Sequence, residues 1–116
     1  MTAGTSAPSA RTCAFGPLSI AYDESVLEPR PWTVLQSEWA AELASDLPPG
    51  PLVEFCAGAG QIGLLAAILA DRDLIQVEAD ATAVAFARRN ARAAGRADRV
   101  EAVSYTHLTL PTNREV

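Results

Sequence analysis

Apolar and polar positions alternate with three different rhythms along this chain, and each rhythm predicts a different element. Residues 1–10 hold only small, polar or Pro positions after Met1 and read as a disordered start. Short extended stretches are expected at Thr12–Phe15, Leu18–Tyr22 and Val26–Leu27. Gly16-Pro17 and Asp23-Glu24-Ser25 separate them as turns, which predicts a small hairpin or meander. Glu28-Pro29-Arg30-Pro31 is a stiff connector, because each proline fixes its own φ and restricts the residue before it. A helix follows. Thr33 and Gln36 fit a capping box, and Leu35, Trp39, Leu43 and Leu47 recur at helical spacing on one face, with Glu38, Glu42 and Asp46 elsewhere. Trp32 and Trp39 are read as packing residues. Pro48-Pro49-Gly50-Pro51 ends that helix.

Beyond Pro51 the rhythm alternates strand and helix. Leu52–Phe55 and Leu74–Val77 are short apolar strands, and Val100–Val103 begins a third. Ile62, Leu64, Leu65, Ile68 and Leu69 make a helix apolar on most sides, as one packed on a sheet would be. Ala81–Ala94 is a second sheet-packed helix, with Asp80 or Thr82 as N-cap and Gly95 as its stop. The β-α-β-α-β run predicts an α/β fold: a parallel half-sheet with right-handed crossovers, preceded by a hairpin region and one helix.

The chain has 116 residues, enough for one small domain. A net charge of −5 argues against a dedicated nucleic-acid binder, which needs a basic face. Arg88, Arg89, Arg92, Arg96 and Arg99 cluster locally and read as a solvated helix face. Cys13 and Cys56 are too few for a disulfide framework or a zinc site, so no metal is expected. No secretory signal and no apolar run of membrane-spanning length is visible, which predicts a cytoplasmic protein without a membrane partner.

The candidate chemistry lies in Val53–Gly63, V-E-F-C-A-G-A-G-Q-I-G. Gly58, Gly60 and Gly63 satisfy G-x-G-x-x-G between a strand and a helix, and Glu78 follows about 20 residues after the first glycine, where an acid would meet ribose hydroxyls. Those features suit a nicotinamide-dinucleotide domain and an S-adenosylmethionine domain alike. Glu54 separates the two. A carboxylate four residues before Gly58 repels a pyrophosphate and attracts a ligand that carries an ammonium group.

V-E-F-C-A-G-A-G resembles motif I of class I S-adenosylmethionine-dependent methyltransferases, with Cys56 where a glycine is common. V-E-A-D-A-T-A-V resembles the family's second motif, and A-V-A-F-A-R-R-N-A-R-A-A-G-R-A-D-R-V its post-I region. Val26–Thr33 is similar to the V-L-x-P-R-P-x-T segment of HemK-type enzymes, which methylate a glutamine of peptide-release factors. Trp32 and Val34 stand where acids are usual in that group. The resemblance implies a partial Rossmann-like methyltransferase fold over residues 32–103, after short strands and a Pro-rich connector over 11–31. It implies S-adenosyl-L-methionine as cofactor, held by Glu54, Cys56, Ala57, Gly58, Gly60, Glu78 and Ala79, with Arg30 and Thr33 from the connector. The methyl acceptor it implies is a protein such as a release factor. A nicotinamide-dependent oxidoreductase and a non-catalytic adaptor on the same fold remain the alternatives.

Residues 104–116, S-Y-T-H-L-T-L-P-T-N-R-E-V, break the pattern and contain the chain's single histidine, His107. The stretch resembles the translation of a sequencing-library transposase adapter, so a non-native tail is expected and His107 is given no role. The family's Asn-Pro-Pro-Tyr segment and its adenine-contacting acid have no counterpart here. The expectation is therefore a truncated, inactive cofactor-binding half without catalytic residues, with an exposed edge on its first parallel strand.

Overall fold

Two strands, Arg11–Phe15 (β1) and Leu18–Tyr22 (β2), pair antiparallel around the Gly16-Pro17 turn in the computed structural model, which describes residues 10–105. Phe15, Ile20, Ala21 and Tyr22 are buried, so the hairpin is part of the core. Val26–Leu27 forms no strand. The readings of residues 1–9 as a disordered start and of 106–116 as a non-native tail lie outside the described residues. Ser104 and Tyr105 do not: Ser104 ends the last strand and the Tyr105 amide donates to the Glu78 carbonyl.

The connector leads into a 3-10 turn, Pro31–Thr33, and then α1, Val34–Ala44. The expected capping box does not form. The 3-10 turn already makes Thr33 helical, and its hydroxyl turns back to donate to the Arg30 carbonyl at 2.6 Å. The stripe Leu35, Trp39, Leu43, Leu47 does not face the core either, and Trp39 and Trp32 remain 64% and 65% exposed. α1 instead meets the next helix through its small residues. Ser37 and Ala44 are buried, and the Ser37 hydroxyl donates to the Ile62 carbonyl at 2.8 Å. Small side chains let two helices approach closely enough for that bond, which large apolar ones would prevent.

Leu52–Phe55 (β3), Leu74–Glu78 (β4) and Val100–Ser104 (β5) form a parallel sheet in that spatial order, with α2 (Gln61–Ala70) and α3 (Ala81–Ala93) as crossovers. This is the α/β half-sheet with preceding hairpin and helix that the sequence predicts. Register places Glu54, Gln76 and Ala102 side by side on one face, and Phe55, Val77 and Val103 on the other. Both crossover helices pack on the first face. α3 begins at Asp80, which accepts from the Thr82 amide, and ends at Gly95 (φ +73°), where the Arg96 amide closes onto the Ala91 carbonyl.

Side chains that reach distant backbone groups tie these pieces together. Arg72 donates to the carbonyls of Ala44, Leu47, Pro48 and Gly50, satisfying the end of α1 and the linker after it. Arg88 donates twice to the Ala102 carbonyl, and Arg99 pairs with Asp71 and Asp73, so much of the arginine cluster is structural. Asn90, 1% exposed, is the central tie. Its Oδ1 accepts from the Ala21 amide at 2.7 Å, while Nδ2 donates to the carbonyls of Ala21 (3.0 Å) and Ala59 (2.9 Å). No helix among the described residues is long and apolar enough to cross a membrane.

Replacing Asn90 leaves three buried backbone groups without a partner, at roughly 1–3 kcal/mol per unsatisfied group before any relaxation. Asn90→Leu is therefore expected to lower unfolding stability by about 2–4 kcal/mol. Urea denaturation of the two proteins checks this, and a loss below about 0.5 kcal/mol would contradict the assignment.

Candidate functional site

The site is a loop, residues 56–60, at the C-terminal end of β3, where ligands of parallel α/β sheets bind. Three positive-φ residues build it: Cys56 (+57°), Gly58 (+59°) and Gly60 (+88°). Its ends join the regular elements, the Cys56 amide donating to the Val77 carbonyl and the Gly60 carbonyl accepting from the Leu64 amide, but the groups between lie outside both ladders and need other partners. Three polar side chains supply them. Glu78 Oε1, from the end of β4, accepts from the Gly58 amide at 2.8 Å. Asn90 Nδ2 holds the Ala59 carbonyl, and Gln76 Nε2 donates to the Gly60 carbonyl at 2.9 Å.

Gln76 is 1% exposed in the middle of the central strand, and its amide also donates to Glu54 Oε1 at 2.9 Å. The other Glu54 oxygen accepts from the Gly63 amide, in the first turn of α2, at 3.1 Å. Glu54 thus caps the helix, with both oxygens turned toward protein donors. Burial pushes its carboxyl pKa above the usual range; the bonds from Gln76 and Gly63 oppose that shift, and the Glu78 charge adds to it. The third motif glycine follows from this contact. A Cβ on Gly63 would collide with the Glu54 carboxylate, at 2.7 Å from Cδ. Gly60 is fixed twice over, by its φ and by Gln76 Nε2, which would lie 2.8 Å from a Cβ there.

The sequence-predicted residues divide into two groups. Glu54, Cys56, Ala57, Gly58, Gly60, Glu78 and Ala79 gather at the C-terminal edge of β3 and β4. Glu78 Oε2 also accepts from the Asp80 amide, at 3.0 Å, so the carboxylate is held on both oxygens and retains lone pairs for a ligand. Arg30 and Thr33 lie elsewhere along the same end. Ser37 anchors α1 beside Ile62, and Arg72 anchors the end of α1 beside the end of α2, so the two helices run parallel. Arg30, Trp32 and Thr33 accordingly sit about one turn above Ser37, at the glycine-loop end. Arg30 stacks its guanidinium over the Trp32 ring at 5.7 Å and shares an open groove of about 450 Å³ with Leu27–Trp32. Tyr105 reaches Cys56, and its phenol pKa is raised by Cys56 first and then by burial and Glu78. Among the described residues, no group of His, Cys, Asp and Glu side chains could hold a metal ion.

Gln76 and Asn90 are the residues that sequence reading passes over. The available signal is polarity out of place: an amide inside the apolar run L-I-Q-V, and another on the buried face of a helix that otherwise buries Ala, Val and Phe.

Cys56→Gly removes a side chain from a left-handed conformation and is expected to stabilise the chain by about 0.5–1 kcal/mol, even after the unfolded-state entropy of glycine is counted. A thermal melt that falls instead would show that the Cys56 side chain matters more than its φ. Glu54 carries a pH signature. Its folded pKa is raised, so the protonated form favours folding. That contribution is complete below the unfolded value of 4.5 and is lost as pH rises through the raised folded value. Wild type is therefore expected to gain stability relative to Glu54→Gln as pH falls from 7 toward 4.5. Urea melts of both proteins at several pH values in that window check the sign, and a constant difference would contradict it.

No known protein-family model matches the chain, and no curated protein matches it. Solved structures do. TYW2 of Pyrococcus horikoshii in complex with MeSAdo superposes with a TM-score of 0.69 at 21% identity, over 82% of this chain and 35% of its own. A SAM-dependent methyltransferase from Agrobacterium tumefaciens gives 0.67 at 14% identity, over 85% and 33%. The N-terminal domain of human METTL16 in complex with SAH gives 0.66 at 22% identity, over 84% and 40%. The chain spans 33–40% of the length of these three structures. Identities this low establish a shared fold: the chain has the Rossmann-like α/β half-fold found in these methyltransferases.

Proposed function

We propose that the chain is the S-adenosylmethionine-binding part of a class I methyltransferase. The observation that carries this reading is the use of the loop amides. A dinucleotide domain keeps the amides of its glycine loop and first helical turn free for a pyrophosphate. Here Gly58 and Gly63 donate theirs to the carboxylates of Glu78 and Glu54. Two carboxylates at that place repel phosphate and favour a ligand bearing positive charge. S-adenosylmethionine has a sulfonium, an ammonium group and a ribose diol. Glu78 would accept from the ribose hydroxyls through its remaining lone pairs. Glu54 would act beneath the loop, setting its shape and adding negative potential on the amino-acid side. Ala57, Gly58 and Gly60 would let the ligand lie against the backbone, with Cys56 and Ala79 flanking it.

The likeness to solved methyltransferases supports the same reading, and the cofactor supplies the transferable methyl group. Methyl transfer itself would rest on positioning and on stabilising the charge that shifts as the sulfonium is neutralised. The finer part of the proposal is a protein glutamine as methyl acceptor. It rests on the connector alone, where Arg30 and Thr33 sit at the loop end of α1.

Calorimetric titration separates the two cofactor classes. S-adenosylmethionine is expected to bind and NAD is not, and Glu78→Ala is expected to weaken S-adenosylmethionine at least tenfold. Tighter binding of NAD, or unchanged affinity in Glu78→Ala with its fold intact by circular dichroism, would overturn the assignment.

A further inference from the structure

Both partners of the Glu54 carboxylate are confined to donating. The Gly63 amide, 3.1 Å from Oε2, has no other capacity. A glutamine side chain carries an acceptor as well as donors, so Gln76 could in principle present Oε1 instead. The Gly60 carbonyl removes that choice. Gln76 Nε2 stands 2.9 Å from Glu54 Oε1 and 2.9 Å from the Gly60 oxygen. A turned amide would aim its oxygen at a carbonyl oxygen, which only accepts. Gln76 is 1% exposed and in register beside Glu54, so solvent does not satisfy it in another pose either. Two fixed donors favour the ionised carboxylate, because a hydrogen bond to a charged acceptor is roughly twice as strong as one to a neutral acceptor.

Among the described residues, no basic side chain shares this duty. On β4, Glu78 points to the same face as Gln76, and its charge opposes ionisation of Glu54. α2 contains no charged residue, and Ser37 is the polar side chain that α1 buries. α3 buries Ala, Val, Phe and Asn90, while its Arg88, Arg89 and Arg92 are exposed. The loop adds only the exposed Cys56 thiol. Burial and Glu78 both work against the Glu54 charge, and hydrogen bonds alone work for it.

We infer that Gln76 is a positioning residue of this site: as a locked donor it keeps Glu54 ionised, and so keeps negative charge beneath the loop, at neutral pH. It acts through Glu54. The Gly60 carbonyl serves as the lock and does not depend on Gln76 for its own pairing, since it also accepts from the Leu64 amide at 3.0 Å. The consequence for a ligand rests on the proposed function. A cofactor bearing positive charge binds better over an ionised Glu54, so its affinity falls as pH drops through the folded Glu54 pKa. Removing the Gln76 donor moves that fall to higher pH.

An NMR pH titration of the 116-residue chain without cofactor tests the role of Gln76. In wild type the Gly63 amide and the Gln76 side-chain amide are expected to titrate together, with one midpoint above 4.5 and below neutrality. Glu54→Gln is expected to abolish that shared step. Gln76→Met keeps the length of the side chain, removes the donor and leaves Gly60 bonded to Leu64. Its Gly63 midpoint is expected about one pH unit higher, and an unmoved midpoint would overturn the inference. If Gln76→Met fails to fold, the wild type decides: separate midpoints, a shared one above neutrality, or no shared step overturns it equally. Calorimetry reads the link to the cofactor. From about pH 7.5 to about pH 5, S-adenosylmethionine affinity is expected to fall at least threefold more in wild type than in Glu54→Gln. An equal fall in both would overturn that link. No binding at any pH, with the titration as expected, would count against the proposed function and leave the role of Gln76 in place.

Discussion

One buried amide holds the arrangement on which the site depends. Gln76 sits at the middle of the central strand, and its two amide hydrogens divide between the Glu54 carboxylate and the Gly60 carbonyl. The first bond stabilises a carboxylate in a place where burial disfavours its charge; the second fixes the last residue of the loop before α2 begins. A loop with three left-handed residues exposes backbone groups that no regular element can satisfy. Gln76, Glu78 and Asn90 each take one of three consecutive loop residues, so side chains from β4 and α3 shape the loop together with its own glycines. The three motif glycines then have separate causes. Gly58 answers to its φ, Gly60 to its φ and to Gln76, and Gly63 to the Glu54 carboxylate pressed against it.

That division explains what was legible in the sequence. The strands of both sheets, α2, and α3 with its caps follow from local rhythm: apolar runs, helical spacing, Asp80 before α3 and Gly95 after it. Glu54, Gly58, Gly60 and Glu78 follow from a spacing that spans a single βαβ unit. Gln76, Asn90 and Arg72 were not legible, because each owes its role to backbone groups remote along the chain. Asn90 reaches Ala21 across 69 residues, and Arg72 reaches Ala44 across 28. Gln76 and Asn90 stand out in sequence only as polar residues among apolar ones, and the fold alone supplies the partners of all three. The α1 stripe was misread for a related reason. Amphipathic spacing states that a face is apolar, and says nothing about whether its partner lies in the same hydrophobic core.

Glu54 also shows why the distinction between a structural and a functional acid is too sharp here. Its oxygens face Gly63 and Gln76, which is a capping role. The same contacts place a carboxylate directly beneath the loop and occupy an amide that a phosphate would require. Glu78 does the same from the other side by taking the Gly58 amide. Under the proposed function, capping and ligand selection would be one electrostatic effect. Two amides that would welcome an anion, those of Gly58 and Gly63, already donate to carboxylates, which under the proposed function would favour a cation at the loop.

The one-sided sheet and the position of the loop come from a single topological constraint. Right-handed crossovers that step in one direction, β3 to β4 to β5, place every helix on the same face. Covering the second face requires a reversal of direction or a second body, and the reversal can begin only at β3. In open α/β sheets the ligand crevice lies outside the strand ends where the order reverses. The edge that is unpaired, the face that is bare and the glycine loop that follows Glu54 therefore have to adjoin. Whatever occupies the β3 flank stands beside the loop, so pairing at that edge and access to the site are geometrically linked.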